Sequence, residues 1–204
     1  MSTTARILRA GLSAAACAFL LSGCLSTKLY IDPALPTLSK ADLAAPGEPA
    51  SANVLYEFRS KGTTNSAATT ETRPIVLAAL TNSGLYSSAT AGAGGDADVA
   101  LTITIDNIPL DENAAAKGFG TGLTFGAVGS LVTDGYVCNV KETRGGVVRE
   151  ASVKHALHTT IGNHSGPEGV KPAASYAEAV DTLVTQMVWN ALKKLQGGDK
   201  TVSR

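Results

Sequence analysis

The stretch GYVCNVKETRGGVVREASVKHALHTTIG, residues 135–162, reads as two long strands folded back on each other at Arg144-Gly145-Gly146. Glycine supplies the positive φ that such a tight turn demands. On the second strand His155 shares parity with Val153, Leu157 and Ile161 and is expected on the apolar side. His158, three residues on, then points to the opposite side.

Working outward, Ser175-x-x-Glu178 forms a capping box, and Tyr176, Val180, Leu183, Val184, Met187, Val188, Ala191, Leu192 and Leu195 recur at helical steps before Gly197-Gly198. That helix covers a sheet. Upstream, in DADVALTITIDNIP (96–109), Val99, Leu101, Ile103 and Ile105 alternate with Ala100, Thr102, Thr104 and Asp106 as a half-buried strand. TRPIVLAALTNSG (72–84) predicts a helix capped by Thr72, with Pro74 in its first turn and Gly84 at its stop. Before it, Val54, Tyr56 and Phe58 alternate with Leu55, Glu57 and Arg59.

Aromatic residues are only 5% of the chain, so core volume must come from Val, Leu and Ile, which favours a thin domain. The expected fold class is α+β: a two-layer sandwich with about four strands in a mixed/antiparallel sheet and two helices on one face. The helix between the first two strands permits their parallel pairing, and the others should be antiparallel. The folded domain is expected over 53–197, with 198–204 as a tail.

The start of the chain decides location. Residues 1–11 carry Arg6 and Arg9, residues 12–21 are apolar, and Ser22 and Gly23 are small. This is the layout of a secretory signal peptide, 1–23, and its apolar run falls well short of the ~20 residues that span a bilayer. Residues 24–52, with Pro33, Pro36, Pro46 and Pro49, read as a flexible tether. Removing the signal leaves 15 basic and 17 acidic residues, a net charge of −2, so no polyanion and no nucleic acid partner is advertised.

Leu21-Ser22-Gly23-Cys24 resembles the lipobox of bacterial lipoproteins. The resemblance implies cleavage after Gly23, diacylglycerol on the Cys24 thiol, and further acylation of the new amino terminus by fatty acid such as palmitate. More than one acyl chain is needed for a stable anchor. Cys17 has no large aliphatic residue three positions before it and is followed by more apolar chain, so it reads as filler. Because Leu25-Ser26 follows without an Asp, the resemblance implies the outer membrane, with the domain facing the periplasm. With Cys24 acylated, Cys138 has no intrachain partner and is expected as a buried apolar thiol.

Between Lys117 and Asp134 the segment GFGTGLTFGAVGSLVT (118–133) holds no charge. A dinucleotide fingerprint would need glycine at 125, which is Phe125, and a phosphate loop would need a Gly-Lys pair, so neither nucleotide nor other cofactor is expected. Three readings stay open: an apolar loop on the domain's own core, a membrane or partner contact through Phe119, Leu123, Phe125 and Leu131, and close packing through Gly122-x-x-x-Gly126.

The lipobox, Asp32-Pro33, Ser83-Gly84-Leu85-Tyr86, Ala97-Asp98-Val99, and the insert from Gly122-Leu123-Thr124 to Thr133-Asp134-Gly135-Tyr136 together resemble a family of proteobacterial outer-membrane lipoproteins. The topology is similar to small periplasmic α+β lipoproteins that assist outer-membrane assembly or secretion machines.

For chemistry, His155 and His158 on a strand point apart, and His164 lies beyond in a loop with Gly162 and Gly166, so no metal site is expected. No G-x-S-x-G elbow is present and no catalytic residue is assigned. The expectation is a non-enzymatic, lipid-anchored envelope protein whose periplasmic domain binds a protein partner or envelope component. The alternatives are a tethered envelope enzyme using Cys138 or the histidines, and an oligomer or pore component built through the insert.

Overall fold

A computed structural model describes residues 27–110, 131–162, 165–197 and 201–202. Strands β1 (Thr27–Ile31), β2 (Ala50–Ser60), β3 (Thr63–Thr64), β4 (Tyr86–Ala91), β5 (Val99–Pro109), β6 (Leu131–Arg144), β7 (Val147–Ile161) and β8 (Thr201–Val202) accompany helices α1 (Ser66–Asn82) and α2 (Tyr176–Gln196). They form an α+β fold around an eight-stranded sheet of order β1-β7-β6-β5-β2-β3, with β4 on β2 and β8 on β7. The β6–β7 hairpin closes at Gly145 and Gly146, whose φ values of 54° and 79° match the expected turn. β2 pairs in parallel with β4 and β5, and the other pairings are antiparallel.

The strand count corrects the expectation of about four. The four strands read from alternation are β2, β5, β6 and β7, while β1, β3, β4 and β8 attach at the margins. β4, YSSATA, is nearly all polar or small, and it persists because a formed neighbour satisfies its backbone.

Strand alternation sends Val54, Leu101, Ile103, Ile105, Cys138, Val140 and Val153 to one face, where they join Val76, Leu80, Leu183, Val184, Met187, Val188 and Leu192 of the two helices in one buried cluster. Each large aliphatic side chain so buried contributes about 1.5–3 kcal/mol.

α1 starts earlier than expected. Asn65, not Thr72, caps it by accepting from the Ala68 N–H at 3.0 Å. Thr72 lies inside and donates to the Ala68 carbonyl at 2.6 Å, and Pro74 sits mid-helix, where it cannot donate to the Thr70 carbonyl. Three threonines with low intrinsic helix preference disguise these first turns. Its stop is as expected, with Gly84 at φ 77°. In α2, Ser175 accepts from the Glu178 N–H at 3.1 Å, while the Glu178 carboxylate takes the Ala174 N–H at 2.8 Å. Tyr176, placed in the apolar stripe from its spacing, is instead 60% exposed.

The tether expected over 24–52 is overturned for its described part, and with it the domain start at 53. β1 pairs with β7, and Tyr30, Leu38 and Leu43 are buried. Between β1 and β2 the prolines leave only a short 3-10 turn at Lys40–Asp42, and amide side chains of α2 take over unpaired backbone groups. The Gln186 side chain accepts from the Leu38 N–H at 2.7 Å and donates to its carbonyl at 3.0 Å, and Asn190 donates to the Pro36 carbonyl at 2.9 Å. Gln196 clasps Ala44 in the same way, at 3.2 and 2.7 Å.

Candidate functional site

The register across β1, β7 and β6 aligns Tyr30, His158 and Thr133 on the sheet face opposite the helices. Thr133 Oγ1 lies 2.8 Å from His158 Nδ1, and His158 Nε2 lies 3.3 Å from Asp32 Oδ2. Asp32 Oδ1 accepts the Ala34 N–H at 2.7 Å, and the Asp32 N–H donates to the Ala156 carbonyl at 3.1 Å. His158 is 1% exposed and Asp32 4%. Burial pushes the Asp32 carboxyl upward, but hydrogen bonds from His158 and Ala34 and the charge of both histidines together hold it below its ordinary value. Hydroxyl, imidazole and carboxylate stand here in relay order. With imidazole and carboxylate enclosed and the second carboxylate oxygen occupied, the arrangement fastens the β1 segment to the sheet.

His155 occupies the helix side of β7, as its parity predicts, and is buried. Burial holds its imidazole down at about 4, and its Nδ1 has no hydrogen-bond partner. The two histidines therefore lie on opposite faces, and among the described residues no three His, Cys, Asp or Glu side chains converge for a metal. His164 lies outside the described residues.

Cys138 is buried among the apolar cluster, and burial pushes its thiol up to about 12. At pH 7 such a thiol is ionised in only about one molecule in 10⁵, far too little for a nucleophile. The sheet also separates it from His158, because Cys138 pairs with Val153 on the helix side.

Two further features escape a reading of the sequence. On the open face, Thr102, Thr104, Asn139, Lys141, Glu150 and Ser152 line a cavity of about 440 Å³. Register places them in two rows, Thr104–Asn139–Ser152 and Thr102–Lys141–Glu150, the second closed by a Lys141–Glu150 ion pair at 3.6 Å. Alternation marks these residues as outward-facing but does not show that three neighbouring strands bring them into one concave patch. On the helix side of the same turn end of the hairpin, Glu142 is 7% exposed and accepts from the Tyr86 hydroxyl at 2.8 Å, with Arg144 and Arg149 at 3.9 and 3.8 Å. These residues border a smaller cavity of about 180 Å³.

Of the residues singled out in the sequence, Gly23, Cys24, Phe119, Leu123 and Phe125 lie outside the described residues. Leu131 opens β6 opposite Thr160. Thr27 pairs with Ile161 and Pro109 with Asp134, so the start of β1 and both ends of the 111–130 segment share one end of the sheet. Among the described residues no helix is long and apolar enough to cross a membrane.

No family model and no curated protein matches this sequence. Among solved structures, a PelC dodecamer from Paraburkholderia phytofirmans aligns at 12% identity and a TM-score of 0.36, over 84% of this chain and 98% of that one. A second PelC dodecamer structure from the same organism aligns at 14% and 0.33, over 84% and 98%. A Xanthomonas campestris protein of the DUF330 family aligns at 14% and 0.34, over 85% and 96%.

Proposed function

We propose that the protein is an outer-membrane lipoprotein, anchored through acylated Cys24, whose periplasmic domain binds a protein partner or envelope component and carries out no chemistry of its own. The observation that carries this reading is Leu21-Ser22-Gly23-Cys24 at the end of a signal-like apolar run. The domain's properties suit binding. Its one described thiol is held protonated, and its open face presents paired rows of hydroxyl, amide and charged groups around a shallow cavity.

The uncharged 118–133 segment, with Phe119, Leu123, Phe125 and Leu131, serves in this reading as the contact to membrane or partner. Its support is position: it leaves and rejoins the sheet at the end where the anchored N-terminus emerges. The test is the intact mass of protein purified from envelopes, with crosslinking of wild type and of a variant whose 118–130 becomes a Gly-Ser loop. A diacylglyceryl, N-acylated chain beginning at Cys24, and crosslinks lost in the loop variant, are expected. A mature chain that begins elsewhere, or is unmodified, refutes the anchor; unchanged crosslinks refute the contact role.

A further inference from the structure

The distance between anchor and domain depends on how much chain is free between them. β1 begins at Thr27, so three peptide units connect its Cα to that of Cys24, and these span at most about 11 Å when fully extended. Pairing with Ile161 places Thr27 at one defined end of the sheet. Other parts lie on that side of the molecule, some set back along the strands: Ser60 is in register with Asn107, Tyr136 and His155, six residues short of Ile161. The Lys61-Gly62 turn follows β2, Asn65 caps α1 just after it, and the Ala173 N–H bonds the Leu29 carbonyl at 2.8 Å, which brings the start of α2 beside β1.

We infer that this end of the sheet, defined by Thr27, Ile161, Val132 and the first turn of α2, rests on the phospholipid headgroups of the anchoring membrane. The inference rests on acylation of Cys24 and adds the orientation and the surface. The chemistry at this end is compatible with headgroups. Both helices direct their N-terminal, positive dipole ends this way. Lys28, paired with Thr160, is exposed. Tyr176 and Val132, 60% and 50% exposed, supply an amphipathic ring and an aliphatic side chain of the kind that settles at an interface. β7 is 15 residues long, so at ~3.4 Å per residue the Gly145-Gly146 turn stands about 50 Å away, and the broad open face runs along the membrane normal, free for a partner.

The experiment uses the full-length, acylated protein in phosphatidylethanolamine/phosphatidylglycerol vesicles containing a nitroxide-headgroup lipid. A fluorophore is placed at exposed Tyr176→Cys, the first residue of α2, or at exposed Val147→Cys beside the distant turn. Cys138, fully buried, stays unlabelled in the native fold. Quenching several-fold stronger at position 176 than at 147, with 147 near its quencher-free level, is expected. Equal quenching, or stronger quenching at 147, overturns the orientation. Intact mass read on the same sample separates the two failures: an unmodified Cys24 overturns the anchor and this inference together, whereas an acylated Cys24 with equal quenching overturns this inference alone.

Discussion

Replacing His155 with leucine should remove most of the protein's sensitivity to mild acid. The imidazole is buried on the helix side of β7, with Nδ1 unpartnered, and burial lowers its folded-state pKa to about 4 from 6.5. The charge of Asp32 opposes that shift and the charge of His158 adds to it. Between these two values the unfolded chain binds the proton and the folded one does not, so stability rises with pH and is lost as pH falls from about 6.5 towards about 4. With one pKa unit worth about 1.4 kcal/mol, this single group costs about 2 kcal/mol between pH 7.5 and pH 5, and about 3 kcal/mol at most below pH 4. Asp32 acts in a lower window, because its lowered pKa contributes stability that is present above about pH 4 and lost as pH falls through the folded value. Urea denaturation of the wild type at pH 7.5 and pH 5 should show the ~2 kcal/mol loss. In His155→Leu the loss should shrink to a few tenths of a kcal/mol, with a gain of about 1 kcal/mol at pH 7.5 from removing an orphaned polar atom. A variant that still loses ~2 kcal/mol over this interval would refute the assignment.

Two other outcomes test the packing. Gln186→Leu removes both hydrogen bonds to Leu38 and strands its buried N–H and carbonyl, so it should cost about 2–4 kcal/mol and make the 33–49 segment cleavable by protease while the sheet stays protected; equal protection in both variants would speak against the clasp. Cys138 should resist a thiol reagent in native protein at pH 8 and react fully in denaturant, read by absorbance; rapid native reaction would show that the thiol is neither enclosed nor raised to about 12.

The hairpin, the amphipathic α2 and the parallel pairing of β2 and β5 were legible because each rests on local periodicity or on the handed return of a crossover helix. The first turns of α1 were not. Ser66 to Glu71 carry little apolar periodicity, and what stabilises them is side-chain bonding by Thr69 and Thr72 to β2: the Phe58 N–H donates to Thr69 Oγ1 at 2.9 Å, and the Thr72 hydroxyl meets that of Tyr56 at 2.7 Å. His158 was assigned to the correct face from parity, but its enclosure depends on Asp32, 126 positions away. Glu142 reads as a strand charge until Tyr86, from a different strand, supplies the donor that lets it be buried.

The sequence alone determined which faces of the long strands are apolar, where the tightest turn falls, and that Leu21-Ser22-Gly23-Cys24 has the pattern of an acylation signal. Each of these depends on neighbours within a few positions, where bond geometry and side-chain alternation act directly. Only the tertiary structure decided that the proline-rich chain after Thr27 is part of the domain rather than a spacer. Its backbone groups find partners on Gln186, Asn190 and Gln196, about 150 residues away, and no local pattern encodes a hydrogen bond whose acceptor arrives only when the chain has folded.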